Sequence, residues 1–263
     1  MIKDLVKISA RPKLKSPNML AAWPGISNVA MITATYLYRK LGFKDLAEIR
    51  APHFFDPIGV LVKDSMVEAP QFPQNRFYYW KNEAGKSDII LFLSEAQPTA
   101  KGYELANCVL DVGLRFHTNR VFTCAAALTR IHHTEQPRVW GVGTNQALAQ
   151  ELAGHNLVQG GNLQIAGLNG LLLGVAKERE IDGICLLGEV PTYTSRVQNP
   201  MTALAIINVL KEMLDIDINT DELAQYADEA KKQMKQVAAE AMEEYIDYFT
   251  EPIWEYGEDE ETE

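Results

Sequence analysis

The sequence predicts an α/β fold in which a largely parallel sheet is covered by helices on both faces. Three observations predict it. Continuous apolar runs at residues 89–93, 121–125 and 184–187 read as strands buried on both sides. Helical patterns at 27–41, 103–116 and 165–177 fall between the strands, the alternation of βαβ units. The stretch 188–210, GEVPTYTSRVQNPMTALAIINVL, joins a strand to a helix that is apolar almost all round, as only a helix enclosed by other elements can be.

Each element has its own local reason. Residues 19–23 form the first strand, and Pro24-Gly25 break it before a helix that Gly42 ends. Short strands are expected at 46–50, 54–55 and 60–62, separated by Pro52, Pro57 and Gly59. Residues 76–80 contain FYYW, are β-prone, and are expected to form a hairpin with the Val67 region. A strand at 139–142 precedes Asn145, the expected cap of a short helix ending at Gly154. After the strand at 184–187, Asn199 caps a helix whose first residue is Pro200, where the missing N–H costs nothing. Asn219 with Glu222 is read as a capped helix start. Leu223, Ala227, Ala230, Met234, Val237 and Ala241 then form a narrow stripe, suited to packing on the chain's own domain or on another protomer. The expected organisation is an α/β domain over 1–217, a helical extension over 218–250 and an acidic, disordered tail over 251–263.

Composition narrows the function classes. The 263 residues are 47 % hydrophobic and 23 % charged, ordinary for a globular protein. Net charge is −10, and six carboxylates from Glu255 to Glu263 leave the remainder near −4. No clustered Lys/Arg footprint for nucleic acid is found. The long uncharged runs at 16–38 and 157–176 are broken by Pro24-Gly25 and by Gln159, Asn162, Gln164 and Asn169, so no membrane helix is expected. Cys108, Cys124 and Cys185 are scattered in apolar contexts, which predicts reduced, buried thiols in a cytoplasmic protein.

In parallel sheets, ligands and partners bind beyond the C-terminal strand ends. Those ends are expected to carry Trp23, Gly25, Glu95, Gly143 and Glu189, with Tyr193 and Arg196 on the turn that follows. No catalytic set emerges from them. Gly141-x-Gly143 has Gln146 where the dinucleotide fingerprint needs its third glycine, and Gly160-Gly161 lacks the Lys-Ser/Thr of a phosphate loop. Ser94 and Ser195 lie outside any G-x-S-x-G context, and the adjacent His132 and His133 do not make a metal site. Glu95 and Glu189 would form an acid–base pair only if their strands were neighbours. No catalytic residue, metal or cofactor is therefore assigned.

Three segments nevertheless resemble one family. Ala22-Trp23-Pro24-Gly25-Ile26-Ser27-Asn28-Val29, Ile165-Ala166-Gly167-Leu168-Asn169-Gly170-Leu171-Leu172, and Gly188-Glu189-x-Pro191-x-Tyr193 running to Asn199-Pro200-x-x-Ala203 are similar to the proteasome assembly chaperone 2 family. The resemblance covers about residues 16 to 215. It implies a three-layer αβα fold similar to nucleoside phosphorylases, with residues 221–249 as the family's C-terminal helical extension. It also implies homo-oligomers, a trimer among the sizes considered, and proteasome α-type subunits as partners. Asn28 and Asn169 join the candidate binding residues through these motifs. Family chaperones that engage the ring end in a hydrophobic–Tyr–any motif, whereas this sequence reads Glu261-Thr262-Glu263 there. Some members carry an ATP-grasp label, but no glycine-rich phosphate loop with lysines and metal carboxylates is present to match it.

The expected function is that of a non-catalytic oligomeric chaperone or interaction protein. The alternative is a nucleoside- or nucleotide-binding protein or enzyme on a phosphorylase-like fold, using the strand-end crevice near Gly25, Glu95, Gly143 and Glu189.

Overall fold

The computed structural model describes residues 5–250 except Ile58 and Leu163, with side chains followed to residue 240. The expected acidic tail at 251–263 and the stripe residue Ala241 lie outside the described residues or side chains. In chain order the strands are β1 Val6–Ile8, β2 Asn18–Ala22, β3 Lys44–Ile49, β4 Val62–Lys63, β5 Met66–Val67, β6 Asn75–Trp80, β7 Ile89–Ser94, β8 Arg120–Thr129, β9 Val139–Gly143 and β10 Gly183–Pro191. The helices are α1 Val29–Leu41, α2 Gly102–Arg115, α3 Gln146–Leu152, α4 Gly167–Glu178, α5 Pro200–Leu214 and α6 Asp221–Thr250.

Eight strands form one mixed sheet in the order β1-β3-β6-β7-β2-β8-β10-β9. At its centre β7, β2, β8 and β10 are parallel, while β6 and β9 pair antiparallel with the outer two. Alternation along β2 divides the core. Met19 and Ala21 face the cluster built by α2 and α4, whereas Leu20 and Ala22 face the cluster built by α1 and α5. The result is a three-layer α/β fold, and the apolar pattern explains it: strands covered on both faces have no need of polar alternation.

Helix ends follow local chemistry. Gly42 ends α1 in the left-handed region at φ 66°, where a side chain would strain the backbone. Asn145 Oδ1 accepts from Leu148 N at 3.0 Å and caps α3 as expected. Asn199 Oδ1 likewise accepts from Thr202 N at 3.0 Å, with Pro200 opening α5.

Several expectations are corrected. Residues 54–55 are not a strand: the chain makes a 3₁₀ turn over Ala51–His53 around Pro52, and Phe54 and Phe55 are buried beyond it. The third short strand starts at Val62, and with β5 it forms a separate exposed hairpin. β6 does not pair with that hairpin. It lies between β3 and β7, because Phe77 belongs to the core and needs the sheet's interior. β9 runs against β10, not with it. The link between β8 and β9 covers only residues 130–138, too few for a parallel crossover. Asn219 Oδ1 accepts from Asp221 N at 2.8 Å, while Glu222 reaches across to Lys40 of α1 instead of closing a capping box.

The first half of α6 packs on its own chain. Leu223, Ala227, Ala230 and Met234 are buried, and Leu223 joins the α1/α5 cluster. Tyr36 donates its hydroxyl to Asn219 O at 2.9 Å and ties down the segment that leads into the helix. The apolar stripe thus first serves the molecule's own body.

Candidate functional site

Past Ala22 the chain leaves the sheet through Trp23, Pro24 and Gly25 and turns over Ile26–Asn28 into α1. Trp23 is fully buried against Phe92, with ring centroids 5.1 Å apart. Its backbone is held by the buried Asn169 side chain of α4: Trp23 N donates to Oδ1 at 3.4 Å, and Nδ2 donates to Trp23 O at 3.5 Å. Gln97 forms a second tie. Its Nε2 donates to Pro24 O at 2.6 Å and its Oε1 accepts from Leu168 N at 2.8 Å. A Cβ on Gly167 (φ +73°) would lie 2.7 Å from that Oε1, so the turn into α4 depends on glycine there.

The third motif segment joins on the other side. Ser27 and Asn28 both sit in the left-handed region, at φ 50° and 53°. Such a conformation costs a non-glycine residue on the order of 1–2 kcal/mol and persists only when its surroundings enforce it. The loop from β10 to α5 supplies the restraint. Ser27 N donates to Ser195 O at 3.1 Å, Asn199 N donates to Ser27 O at 3.0 Å, and Ser27 Oγ lies 3.2 Å from both the Thr194 and Ser195 carbonyls. All three motif segments therefore converge on residues 23–28.

Between them a cleft of about 440 Å³ opens at the C-terminal end of β8. Gly25, Ile26 and Ala30 form one wall, Ala125 to Thr129 of β8 the other, and Ala166, Gly167 and Asn169 the α4 side. Among the described residues no charged side chain lines it; its polar rim consists of Gln97, Asn162, Gln164, Asn169 and Thr129.

The predicted site residues are only partly brought together. Gly25 and Asn169 line the cleft, and Trp23 is the buried residue beneath its wall. Asn28 and Glu95 border a separate groove beside α1 and α6, where Glu95 accepts from Gln74 N at 2.9 Å. Gly143 is at the opposite end of the sheet, paired with Ile184 at the start of β10. A Cβ there would lie 2.7 Å from Leu148 Cβ, so this glycine serves the packing of α3. Arg196 is exposed, and Tyr193 Oη contacts the N and Nδ1 of His133, each at 2.9 Å.

The candidate pair of Glu95 and Glu189 does not exist, since β2 and β8 stand between β7 and β10. Glu189 is 2 % exposed, and Arg138 clamps it with N at 2.8 Å, Nε at 3.1 Å and Nη2 at 2.9 Å. Burial pushes its pKa up, but the Arg138 hydrogen bonds and charge overcome this and hold it below the ordinary carboxylate value. A carboxylate locked in this way is a poor general base. Sequence reading missed Arg138, and it had Ser27 only within the first motif segment and Gln97 only as a polar residue after an apolar strand, because their roles rest on partners far along the chain.

Known proteins share this architecture. The chain is 27 % identical over 232 residues to an uncharacterized protein of Methanocaldococcus jannaschii, covering 86 % of this chain and 85 % of the relative. It superposes on the crystal structure of Pyrococcus furiosus PbaB, an archaeal proteasome activator, with TM-score 0.76 at 27 % identity, covering 89 % of this chain and 98 % of that one. Pyrococcus furiosus PbaA, an archaeal homolog of proteasome-assembly chaperone, matches in fold with TM-score 0.66 at 22 % identity, over 93 % and 96 % of the two chains. The model of the PAC2 family matches residues 19–238, which contain all three converging segments, and the chain belongs to that family.

Proposed function

We propose that the protein is a non-catalytic, homo-oligomeric chaperone or interaction protein that works with proteasome α-type subunits. The observation that carries this reading is its likeness to PbaB over nearly the whole of both chains, at an identity that reaches beyond fold alone. The site chemistry supports it. The polar groups around the cleft are spent on holding loops: Asn169 on Trp23, Gln97 on Pro24 and Leu168, Glu189 on Arg138. What they leave open is an uncharged cleft, which offers a developing anion no cationic partner among the described residues.

The test is co-purification of the full chain with α-type proteasome subunits of its own host, with masses read by light scattering. A stable co-eluting complex, and a mass for the protein alone above the 29.4 kDa monomer, are expected. Separate elution from every α-type subunit overturns the reading. A melting temperature raised by nucleosides or nucleotides, with no effect of the subunits, overturns it in favour of a small-molecule binder.

A further inference from the structure

β8 has a partner on one side that it lacks on the other. Towards β10 it pairs along its length, from Val121 with Gly183 to Thr129 with Pro191. Towards β2 the ladder stops at Ala21 with Thr123, because β2 ends at Ala22 and its chain turns away at Trp23-Pro24-Gly25. Ala22 still lies opposite Cys124, so the five residues from Ala125 to Thr129 present a main-chain edge with no strand beside it among the described residues. At strand rise this edge is roughly 17 Å long. It is the same edge that forms one wall of the uncharged cleft.

Exposed edges not meant to pair are usually blunted by lysine, proline or a bulge. None stands between 125 and 129, where the sequence reads AAALT and the ladder to β10 is regular. Ala125 and Ala126 are half-buried, and Leu128 is 43 % exposed. Three consecutive alanines keep both faces of the slot low, so a neighbouring chain can bring larger side chains of its own. The slot lies between Gly25-Ile26 and the start of α4.

We propose that this recess is a β-augmentation site: an extended peptide segment of a partner protein pairs with Ala125 to Thr129 and takes the sheet position that β2 vacates. Main-chain hydrogen bonds supply the affinity, and the lining selects the side chains. Because that lining is uncharged, the segment carries uncharged side chains within the slot. The site rests on the reading of the molecule as an interaction protein, but does not require the partner to be a proteasome subunit.

The test is selection of random octapeptides, displayed free of proteasome subunits, on the full-length protein, with counter-selection on Leu128→Lys. Leu128 is exposed, so a lysine there leaves the core intact while it charges the edge. Peptides uncharged at their central positions and β-prone are expected. Synthetic copies should bind about tenfold or more weakly to Leu128→Lys, and equally weakly when alternate peptide amides are N-methylated and cannot donate. Those amides of residues 125–129 that point away from β10 should exchange readily in the protein alone and become protected by the bound peptide. Failure to recover any peptide that separates wild type from Leu128→Lys overturns the proposal, as does indifference to N-methylation. Protection of these outward amides without peptide also overturns it, since the chain itself or a second copy would then cover the edge. If α-type subunits still bind Leu128→Lys at full strength while the peptides do not, the chaperone reading survives and the subunits dock elsewhere.

Discussion

Asn199 joins two distant segments through one residue: its N–H donates to Ser27 O at 3.0 Å while its side-chain oxygen caps α5 at Thr202 N, also at 3.0 Å. The turn at 25–28 and the start of the central helix are thereby fixed relative to each other. The Asn199 amide nitrogen, by contrast, is buried without a hydrogen-bond partner.

That asymmetry gives the first prediction. Asn199→Ala removes the cap and should cost about 1 kcal/mol in urea unfolding. Asn199→Ser keeps a capping oxygen and removes the orphaned nitrogen, so it should retain most of the stability. Equal losses in both variants would show that the side chain's bulk, and not its oxygen, is what matters.

Arg138 should be needed to keep Glu189 charged in its buried position. Arg138→Ala leaves that carboxylate with the main-chain N–H of residue 138 and Thr129 as its remaining partners, and should lower the urea-unfolding midpoint, by less than loss of a fully enclosed pair because the outer face of Arg138 meets water. Adding Glu189→Gln to this variant should recover part of the loss.

The same pair sets the response to acid. The folded pKa of Glu189 is depressed, so its contribution to stability is complete above the ordinary carboxylate value and is lost as pH falls through the folded one. In Arg138→Ala the guanidinium's hydrogen bonds and charge are gone and burial is opposed only by the main-chain N–H and Thr129, so the acid limb of the stability profile should move to higher pH. A profile identical to wild type would contradict the assignment.

The thiols should be silent in the native protein. All three cysteines are buried, and burial raises Cys108 and Cys185 to about 12 and Cys124 well above its ordinary value. Iodoacetamide at pH 8 should label none of them until denaturant is added. Stoichiometric labelling of the folded protein would show that these faces open.

Residues 218–263 are proposed to be an extension that the α/β body can lose while remaining folded. Burial of Leu223 and Met234 adds about 1.5–3 kcal/mol each to attaching the helix. Deletion should therefore lower the melting temperature and expose apolar surface on α5 and α1, while a cooperative transition remains. Loss of cooperativity would make α6 part of the one core.

Much of this was legible in the sequence, for identifiable reasons. The continuous runs of β7 and β10 needed no knowledge of their neighbours, and the Asn199-Pro200 start of α5 is written in adjacent residues. What escaped was long-range. Nothing near Glu95 or Glu189 reveals that β2 and β8 stand between their strands. The direction of β9 was available from the short link over 130–138, which a parallel strand cannot use. Gly143 was consequently placed at the wrong end of the sheet.

The position of β2 bears on how the chain is born. β2 is the first strand of the parallel centre to be synthesised, yet both its neighbours come later, β7 beginning at Ile89 and β8 at Arg120. Until then its apolar residues, Met19 and Leu20 among them, have no sheet to enter. Folding has to wait for distant sequence, which makes it slow by the loop-closure argument and leaves the nascent N-terminal part exposed to aggregation on the ribosome. A molecule proposed to help others assemble thus carries a central strand that stays unpaired through much of its own synthesis.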